Sequence, residues 1–370
     1  MFVKKIALNH YRNYTRFELK TESSVNIFVG ANAQGKTNLL EAIYVLALTR
    51  SHRARHDAEL IQWNEDQATL HCELEKKYGP CTLDLTISPQ GKKAKINGLE
   101  QKKLSQYVGA MNVVLFAPED LDIVKGSPGV RRRFLDMEIG QIYPAYLYDL
   151  SQYQRILQQR NNYLKRLDDP AAADPLLDAW NEQFVRYGIK IIKKRQSFIN
   201  KLQSRVAPIH ARLTGQSEKL CLQYRPSFVC EPSEDETVLF ERYMVKLSQV
   251  KEQEIRRGMS LVGPHRDDLL FYINDMDVQS FGSQGQQRTT ALSVKLAEIE
   301  LIHEEIGDYP ILLLDDVLSE LDHSRQTQLI EAFQDKIQTF ITTTAIEQIR
   351  LDRLHSASTF HIRAGSVVNE

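Results

Sequence analysis

The chain has 370 residues, of which 42% are hydrophobic and 26% are charged, and its net charge is -1. This length suffices for about two domains, and the composition is typical of a folded protein rather than a disordered one. Because 47 basic residues balance 48 acidic ones, a strongly basic overall surface is excluded. Any nucleic-acid site would have to be a local patch.

Membrane and disulfide-rich classes are also disfavoured. The strongest apolar run, residues 311–314, ends at Asp315, well short of the roughly 20 residues that a membrane span needs. The first residues lack the apolar segment of a signal peptide. The 4 cysteines form no CxxC pair, which disfavours a zinc site. We therefore predict reduced thiols in a cytoplasmic protein without a membrane partner.

The two ends of the chain have alternating strand and helix patterns. Apolar runs predict strands at 3–8 and 25–29, and a helix follows Lys36. Turn signals within 68–98 predict antiparallel strands. Further patterns predict, in chain order, a strand at 269–273, a helix at 286–306, and strands at 311–314 and 338–342.

The middle of the chain has a helical pattern instead. Apolar residues at helical spacing from Leu177 to Leu202 predict a long helix that stops before Pro208. Residues 151–215 contain twelve Lys or Arg and five Asp or Glu. We predict an α/β fold in which residues 1–125 and 255–370 form one discontinuous domain. Residues 126–254 then form an inserted, mainly helical lobe.

The strongest motif is a glycine-rich loop that fits G-x-x-x-x-G-K-[ST] and lies between a predicted strand and a predicted helix. Its members are Gly30, Ala31, Asn32, Ala33, Gln34, Gly35, Lys36 and Thr37. The backbone N–H groups of such a loop surround a phosphate, aided by the positive helix end. We predict that Lys36 contacts the β- and γ-phosphates of ATP and that Thr37 binds Mg²⁺.

A pair of carboxylates follows the apolar strand at 311–314. Asp315 and Asp316 would lie at the carboxyl end of that strand, where open α/β sheets bind ligands. Asp315 is a candidate Mg²⁺ ligand, and Asp316 is a candidate to orient or deprotonate an attacking water.

A third segment, Ser283-Gln284-Gly285-Gln286, begins a long helix. Ser283 can cap that helix, and Gly285 permits close approach by a phosphate.

The order of these motifs resembles ABC-type ATPases of the SMC and Rad50 class and, more closely, the RecF family of bacterial recombination proteins. The resemblance extends over the whole chain, except for the helical middle at about 140–250. It rests on the three motifs above and on residues 11–14, 30–38, 51–53, 116–121, 131–136, 263–268 and 318–322. It implies an ABC-type P-loop ATPase head with antiparallel strands.

The resemblance also implies an ATP-dependent homodimer in which two heads enclose two nucleotides. Ser283, with Gly285 and Gln286, would contact the γ-phosphate bound to the other subunit. Asn38 and Arg12 would be further nucleotide contacts, although a surface turn explains Arg12 as well. Asp322 would lie at the subunit junction. RecF-like proteins bind duplex and single-strand/double-strand junction DNA and act with RecR, RecO and RecA, so these are the implied partners.

Departures from the wider ABC pattern predict slow hydrolysis, and we expect a weak ATPase that DNA stimulates. The usual Ser-Gly-Gly-Gln has lost one glycine, Asp316 stands where a longer Glu is usual, and residues 342–344 are threonines where a His is expected. The segment 117–119 occupies the approximate place of the Gln loop. We expect slow hydrolysis to act as a release timer rather than a motor.

Two basic patches are candidates for DNA binding, and each is also explained by a solvated surface. One is the predicted hairpin with Lys92, Lys93 and Lys95, followed by Lys102 and Lys103. The other is on the inserted helices and includes Lys190, Lys193, Lys194, Arg195 and Lys201. Phosphate contacts from such residues are independent of sequence and sensitive to salt.

A run of three arginines, residues 131–133, begins a predicted helix. Cations there oppose the helix dipole, which indicates either an anionic partner or a structural ion pair.

Three alternative functions remain. A transporter ATPase is disfavoured by the basic helical insert and the absent His. A Rad50-type tether is disfavoured because the longest helical pattern is only about 30 residues, far short of a long coiled coil. A head that binds ATP without hydrolysing it remains compatible with Asp316.

Overall fold

The computed structural model describes residues 1–167, 175–228, 234–333, 336–345 and 357–368. The strands in these residues are β1 (Phe2–Tyr11), β2 (Tyr14–Lys20), β3 (Val25–Val29), β4 (Ala68–Lys76), β5 (Gly79–Ser88), β6 (Gly91–Ile96), β7 (Leu99–Glu100), β8 (Val113–Phe116), β9 (Leu220–Arg225), β10 (Asp268–Ile273), β11 (Met276–Asp277), β12 (Ile311–Asp315), β13 (Thr339–Thr343), β14 (Ala357–Arg363) and β15 (Ser366–Val368). The helices are α1 (Lys36–Leu48), α2 (Leu121–Lys125), α3 (Pro128–Ile142), α4 (Pro144–Leu164), α5 (Pro175–Leu213), α6 (Glu236–Arg257), α7 (Val278–Phe281), α8 (Gln284–Ile306) and α9 (His323–Phe333).

A mainly parallel sheet joins the two ends of the chain. Its strand order is β15-β14-β3-β13-β12-β8, and only β15 runs antiparallel to its neighbour. Every residue of β3, β12 and β13 is buried, as expected for parallel strands that are covered on both faces. The carboxyl ends of these three strands therefore meet at one sheet edge.

A second, antiparallel sheet has the order β2-β1-β4-β5-β6-β7, which confirms the strands predicted at 68–98. The predicted Asn-Gly turn joins β6 to β7, and Asn97 and Gly98 both have positive φ, 50° and 75°. This backbone conformation matches the twist of a tight hairpin. Apolar residues of this sheet and of α1 share one core, so the mainly parallel and antiparallel sheets enclose α1.

The helical lobe contains the long helix that the sequence predicts, but that helix does not stop before Pro208. Helix α5 continues to Leu213 with Pro208 inside it. A proline inside a helix costs about 3 kcal/mol because it removes one hydrogen bond and crowds the preceding turn. Val206 and Ile209, on either side, are buried in the main core, so tertiary packing offsets this cost.

A small sheet crosses the predicted domain boundary. Strand β9 lies in the predicted lobe, yet it pairs antiparallel with β10, which pairs with β11. A boundary between residues 254 and 255 would divide this sheet. We propose that the lobe extends to Asp277.

None of the described helices is both long and apolar enough to span a membrane.

Arg195 is a structural residue, which makes its prediction as a DNA contact wrong. Its side chain is 2% exposed and lies in the interior face of α5. It donates to Asp136 at 2.7 Å, to the Tyr146 hydroxyl at 3.0 Å and to the Pro264 carbonyl at 2.7 Å. A guanidinium held in this way cannot reach a phosphate at the surface.

Arg131 is also paired internally, so its place in the three-arginine run is explained by a structural ion pair. Its Nε and NH2 groups donate to the two oxygens of Asp268 at 2.7 Å and 2.9 Å. Both side chains are buried. This two-bond geometry is the strong form of an arginine–carboxylate contact.

Removing Arg195 is expected to destabilise the protein strongly. The Arg195→Met variant leaves Asp136 without its cation, and breaking a buried pair in this way costs about 3–5 kcal/mol of unfolding free energy. Urea unfolding measures the loss. The matched control is Lys201→Met, also on α5, which removes a half-exposed ion pair with Glu305 of α8 and should cost less than about 1 kcal/mol. Equal losses in the two variants would contradict the structural role of Arg195.

Candidate nucleotide-binding site

The glycine-rich loop lies between β3 and α1, and its two outer glycines are required by close neighbours. A Cβ at Gly30 would collide with the Ile362 carbonyl oxygen, and one at Gly35 would lie 2.7 Å from Asn13 Nδ2. Gly35 also has a φ of 113°, which strongly favours glycine. The loop is therefore enclosed by β14 on one side and by the turn between β1 and β2 on the other.

Hydrogen bonds from outside the loop fix its backbone. The Tyr14 hydroxyl donates to the Gly35 carbonyl at 2.9 Å, and the Gly365 N–H donates to the Gln34 carbonyl at 3.0 Å. Asn13 Nδ2 donates to that same carbonyl at 3.2 Å, and Asn38 Nδ2 donates to Asn13 Oδ1 at 2.8 Å. Asn13 and Tyr14, noted in the sequence only as part of a motif, thus support the loop.

The start of α1 is suited to binding an anion. No side chain caps this helix end, and no acidic residue lies in its first turn. The Lys36 ammonium lies over the loop and donates to the carbonyls of Gly30 and Ala31 at 2.6 Å and 3.0 Å. Uncapped N–H groups, the positive helix end and a lysine together form the arrangement that binds phosphates.

Asp315 joins this loop to the end of the mainly parallel sheet. Its Oδ1 atom accepts hydrogen bonds from the Thr37 hydroxyl at 2.9 Å and from the Thr342 hydroxyl at 2.7 Å. Burial raises the pKa of Asp315, although both hydroxyls lower it. A hydroxyl beside a carboxylate is an oxygen donor set that Mg²⁺ prefers, so Thr37 and Asp315 fit the predicted metal.

Asp316 adopts a left-handed backbone conformation, with φ at 52°. Its N–H donates to the Thr342 hydroxyl at 2.9 Å. Thr342 therefore forms hydrogen bonds with the Asp315 carboxylate and with the Asp316 backbone. Sequence reasoning noted Thr342 only as part of a segment lacking a His, although a Thr at the end of the next strand was the available signal.

Arg12 does not have a free guanidinium beside the loop. Its Nε and NH2 groups donate to the two oxygens of Glu41, both at 2.8 Å, and its NH1 group donates to the Glu59 carbonyl at 2.8 Å. Ser51 also donates to Glu41, at 2.6 Å, and Arg53 lies 3.5 Å from it. The Arg12 guanidinium is therefore bonded to Glu41, a carboxylate that the sequence analysis did not single out.

The Glu41 carboxylate is completely buried on α1. Burial raises the pKa of Glu41, but the hydrogen bonds from Arg12 and Ser51 outweigh burial and lower it to about 2. Glu41 therefore stays ionised and holds two arginines beside the start of α1.

The Ser283 segment lies on the surface and has no hydrogen bond to the phosphate loop among the described contacts. The Ser283 hydroxyl accepts from the Gln286 N–H at 3.2 Å, and Gln286 Oε1 accepts from the Ser283 N–H at 2.9 Å. This reciprocal pair confirms the predicted helix cap. Gly285 is exposed, and the Phe281 side chain before the cap is 71% exposed.

The predicted DNA contacts on the antiparallel sheet divide by strand face. Lys92 points inward, where it is 6% exposed and donates to Asp57 and to the Thr49 carbonyl, each at 2.5 Å. Lys92 is therefore not an available DNA contact. Lys93 and Lys95 are exposed, as the register of β5 and β6 around buried Ala94 requires.

The predicted DNA contacts on α5 are partly engaged. Lys193 donates to the Glu234 carbonyl at 3.0 Å, and the Lys194 ammonium lies 3.0 Å from the centre of the Tyr143 ring. Both lysines remain partly exposed.

Comparisons with known proteins show the family of the chain. The family model of the RecF/RecN/SMC N terminal domain matches residues 2–360. The DNA replication and repair protein RecF of Bacillus cereus (strain AH820) is 54% identical over 368 residues, covering 99% of this chain and 98% of that protein. The chain belongs to the RecF family. The Bacillus thuringiensis (strain Al Hakam) protein of the same name has the same identity and coverage.

Solved structures of similar proteins have the same fold. A structure of the recombination mediator protein RecF with ATP, in the RecFOR pathway, has a TM-score of 0.92 at 33% identity and covers 99% of this chain and 97% of that one. An Smc head domain from Pyrococcus furiosus has a TM-score of 0.54 at 16% identity, with 99% and 96% covered. These findings confirm the ABC-type α/β head and the resemblance to the RecF family.

Removing the Thr342 hydroxyl is expected to weaken Mg²⁺-dependent nucleotide binding by about tenfold, because residues that orient a metal ligand typically contribute this much. Thr342→Val leaves Asp315 with one fewer hydroxyl donor. Calorimetric titration of ATP with and without Mg²⁺ measures the change. Thr343→Val is the control, since the Thr343 hydroxyl donates to the Ala345 carbonyl instead. An equal loss without Mg²⁺ would contradict this role.

Glu41 is expected to contribute to stability in a defined pH range. Because its folded-state pKa is lowered from 4.5 to about 2, its contribution is present above pH 4.5 and is lost as the pH falls towards 2. The full contribution is about 3 kcal/mol. Urea unfolding between pH 7 and pH 3 should show a smaller pH dependence for Glu41→Gln than for wild type. Glu100→Gln, at an exposed position on β7, should keep the wild-type dependence.

Proposed function

We propose that this protein is an ATP-dependent DNA-binding protein of recombinational repair and replication. The observation that carries the proposal is the contact between Thr37 and Asp315 beside an uncapped helix start that holds Lys36. This donor set suits a magnesium nucleotide. Relatives in the RecF family are named DNA replication and repair proteins, and one is solved with ATP.

The nucleotide site is built from residues 30–38 on one side and from the carboxylate pair on the other. Lys36 and the loop N–H groups would bind the phosphates, while Thr37 and Asp315 would hold Mg²⁺. When bound, Mg²⁺ neutralises phosphate charge. Asp316 is the candidate base for an attacking water. The Asp316 N–H donates to the Thr342 hydroxyl. Because threonine cannot supply the positive charge of the His expected in this segment, this contact supports slow hydrolysis.

A homodimer would complete the site. Ser283 and Gly285 are exposed beside Phe281, and neither has a described hydrogen bond to the phosphate loop of its own chain. Gln286 is partly buried, and its Nε2 group donates to Glu218 at 3.0 Å. An exposed helix start with an adjacent apolar side chain is suited to cover the nucleotide of a second copy. Asp322 would lie near that junction, where it is now paired with Arg325 at 2.8 Å.

DNA binding would use the exposed and partly exposed lysines that remain after Lys92 and Arg195 are excluded. Lys93 and Lys95 on β6, with Lys193 and Lys194 on α5, are the proposed phosphate contacts. We propose gapped or junction duplex DNA as the substrate and RecR, RecO and RecA as pathway partners. Slow, DNA-stimulated hydrolysis would end the bound state.

Nucleotide-gated DNA binding is the outcome that this function requires. Binding of a labelled gapped duplex should be at least about tenfold tighter with ATP than with ADP or without nucleotide, a typical size for coupling between two sites. Lys36→Ala should lose this gain because it removes the phosphate contact. Fluorescence anisotropy measures both, and equal affinity in all conditions would contradict the gating.

A matched pair of variants at Ser283 tests the dimer contact separately from nucleotide binding. Asn and Asp both cap helices well, so Ser283→Asn and Ser283→Asp should preserve α8. Only the Asp carboxylate would repel a γ-phosphate from the second copy. We expect Ser283→Asp alone to lose ATP-dependent dimerisation in sedimentation while retaining ATP binding. Dimers of equal stability in both variants would exclude the contact between subunits.

A further inference from the structure

A cleft of about 700 Å³ lies between the head and the helical lobe, away from the nucleotide site. It is bounded by the end of α1, by residues 103–108 and by helices α3 and α4. No residue of the phosphate loop, of the Ser283 segment or of the Asp315–Asp316 pair lines it. Its volume is in the range of cavities that bind ligands or anchor side chains, about 300–1,000 Å³.

The floor of the cleft is aliphatic. Its main contributors are Leu48, Leu104, Met137, Leu147, Leu150 and Leu157. These side chains come from both the head and the lobe, so the floor spans the junction between them. An aliphatic surface that includes a methionine adapts well to the side chains of a bound peptide.

The rim of the cleft is basic. Arg50, Lys103, Arg132 and Arg133 line it, and Asp136 is the one carboxylate among the described lining residues. Asp136 is already neutralised by Arg195 at 2.7 Å. The positive charge of the rim is therefore not balanced within the cleft.

The rim arginines of α3 have no carboxylate in hydrogen-bond contact among the described residues. Arg132 donates to the Asp267 carbonyl at 2.8 Å, and Arg133 donates to the Ser51 carbonyl at 2.9 Å. Burial, with repulsion from Arg195, lowers the pKa of Arg132. A bound anion would relieve these costs.

We propose that this cleft binds an acidic peptide segment of a partner protein, with an apolar side chain on the floor and flanking carboxylates against the rim. Charge complementarity selects the acidic partner, and the aliphatic floor selects the apolar anchor.

Single-stranded nucleic acid is disfavoured as the occupant because it requires exposed aromatic rings for stacking. The two aromatic rings in the described lining, Tyr153 and His265, are bonded to each other at 2.7 Å, and Tyr153 is buried and stacks on Phe184 at 4.9 Å.

Defined peptide pools test the proposal. The first pool is fluorescein-labelled and has Asp or Glu at the flanking positions and Leu, Ile, Met or Phe at a central pair. The second pool has Ser at the central pair, and the third has Lys at the flanks. Fluorescence anisotropy with the wild-type chain should detect salt-sensitive binding of the first pool only, with the others at least about tenfold weaker.

Charge reversal on the rim locates the site. The double variant Arg50→Glu and Arg133→Glu should weaken binding of the first pool at least about tenfold, because both side chains are exposed cations of the cleft. Arg16→Glu, at an exposed position of β2 that does not line the cleft, should have no effect. Circular dichroism and urea unfolding verify that the variants fold.

Three results would overturn the proposal. These are failure of the first pool to bind wild type, equal binding of the Ser-centred pool, and unchanged binding by the folded double variant. A labelled oligodeoxythymidylate is the last probe. If it binds in place of the peptides and depends on Arg50 and Arg133, the cleft is a nucleic-acid site instead.

Discussion

The register of three parallel strands positions the nucleotide site. Asp315 pairs with Thr342 across β12 and β13, and Thr343 pairs with Val29 at the end of β3. This register brings the Asp315 carboxylate into contact with both Thr342 and Thr37. A slip of one residue would turn Asp315 to the opposite face of the sheet. The phosphate loop, the proposed metal ligands and the proposed catalytic carboxylate all depend on this pairing.

Buried ion pairs organise the structure around this sheet. Glu41 holds Arg12 and Arg53 beside the start of α1, while Asp136 holds Arg195 and Asp268 holds Arg131 at the junction with the lobe. These pairs engage arginines that would otherwise be candidates for binding phosphate. The exposed lysines of β6 and the rim of the cleft carry positive charge that these pairs do not engage.

Local sequence patterns predict much of the site, because a strand, a glycine-rich loop and a helix follow one another without interruption. The Ser283 cap is local in the same sense. The roles of Thr342 and Glu41 arise from contacts between distant segments, which spacing along the chain does not reveal. Arg195 and Lys92 were predicted on charge, but charge alone does not show whether a side chain is buried. Pro208 shows that packing can override a strong local signal.

The position of β3 also determines when the site can form during synthesis. Strand β3 lies between β13 and β14, so both of its neighbours are translated near the end of the chain. A nascent chain that has reached β12 already carries the phosphate loop and the whole lobe, yet the sheet around β3 is incomplete. Such distant pairing is slow and leaves strand edges exposed to aggregation. The complete nucleotide site can therefore form only after β13 and β14 have emerged from the ribosome.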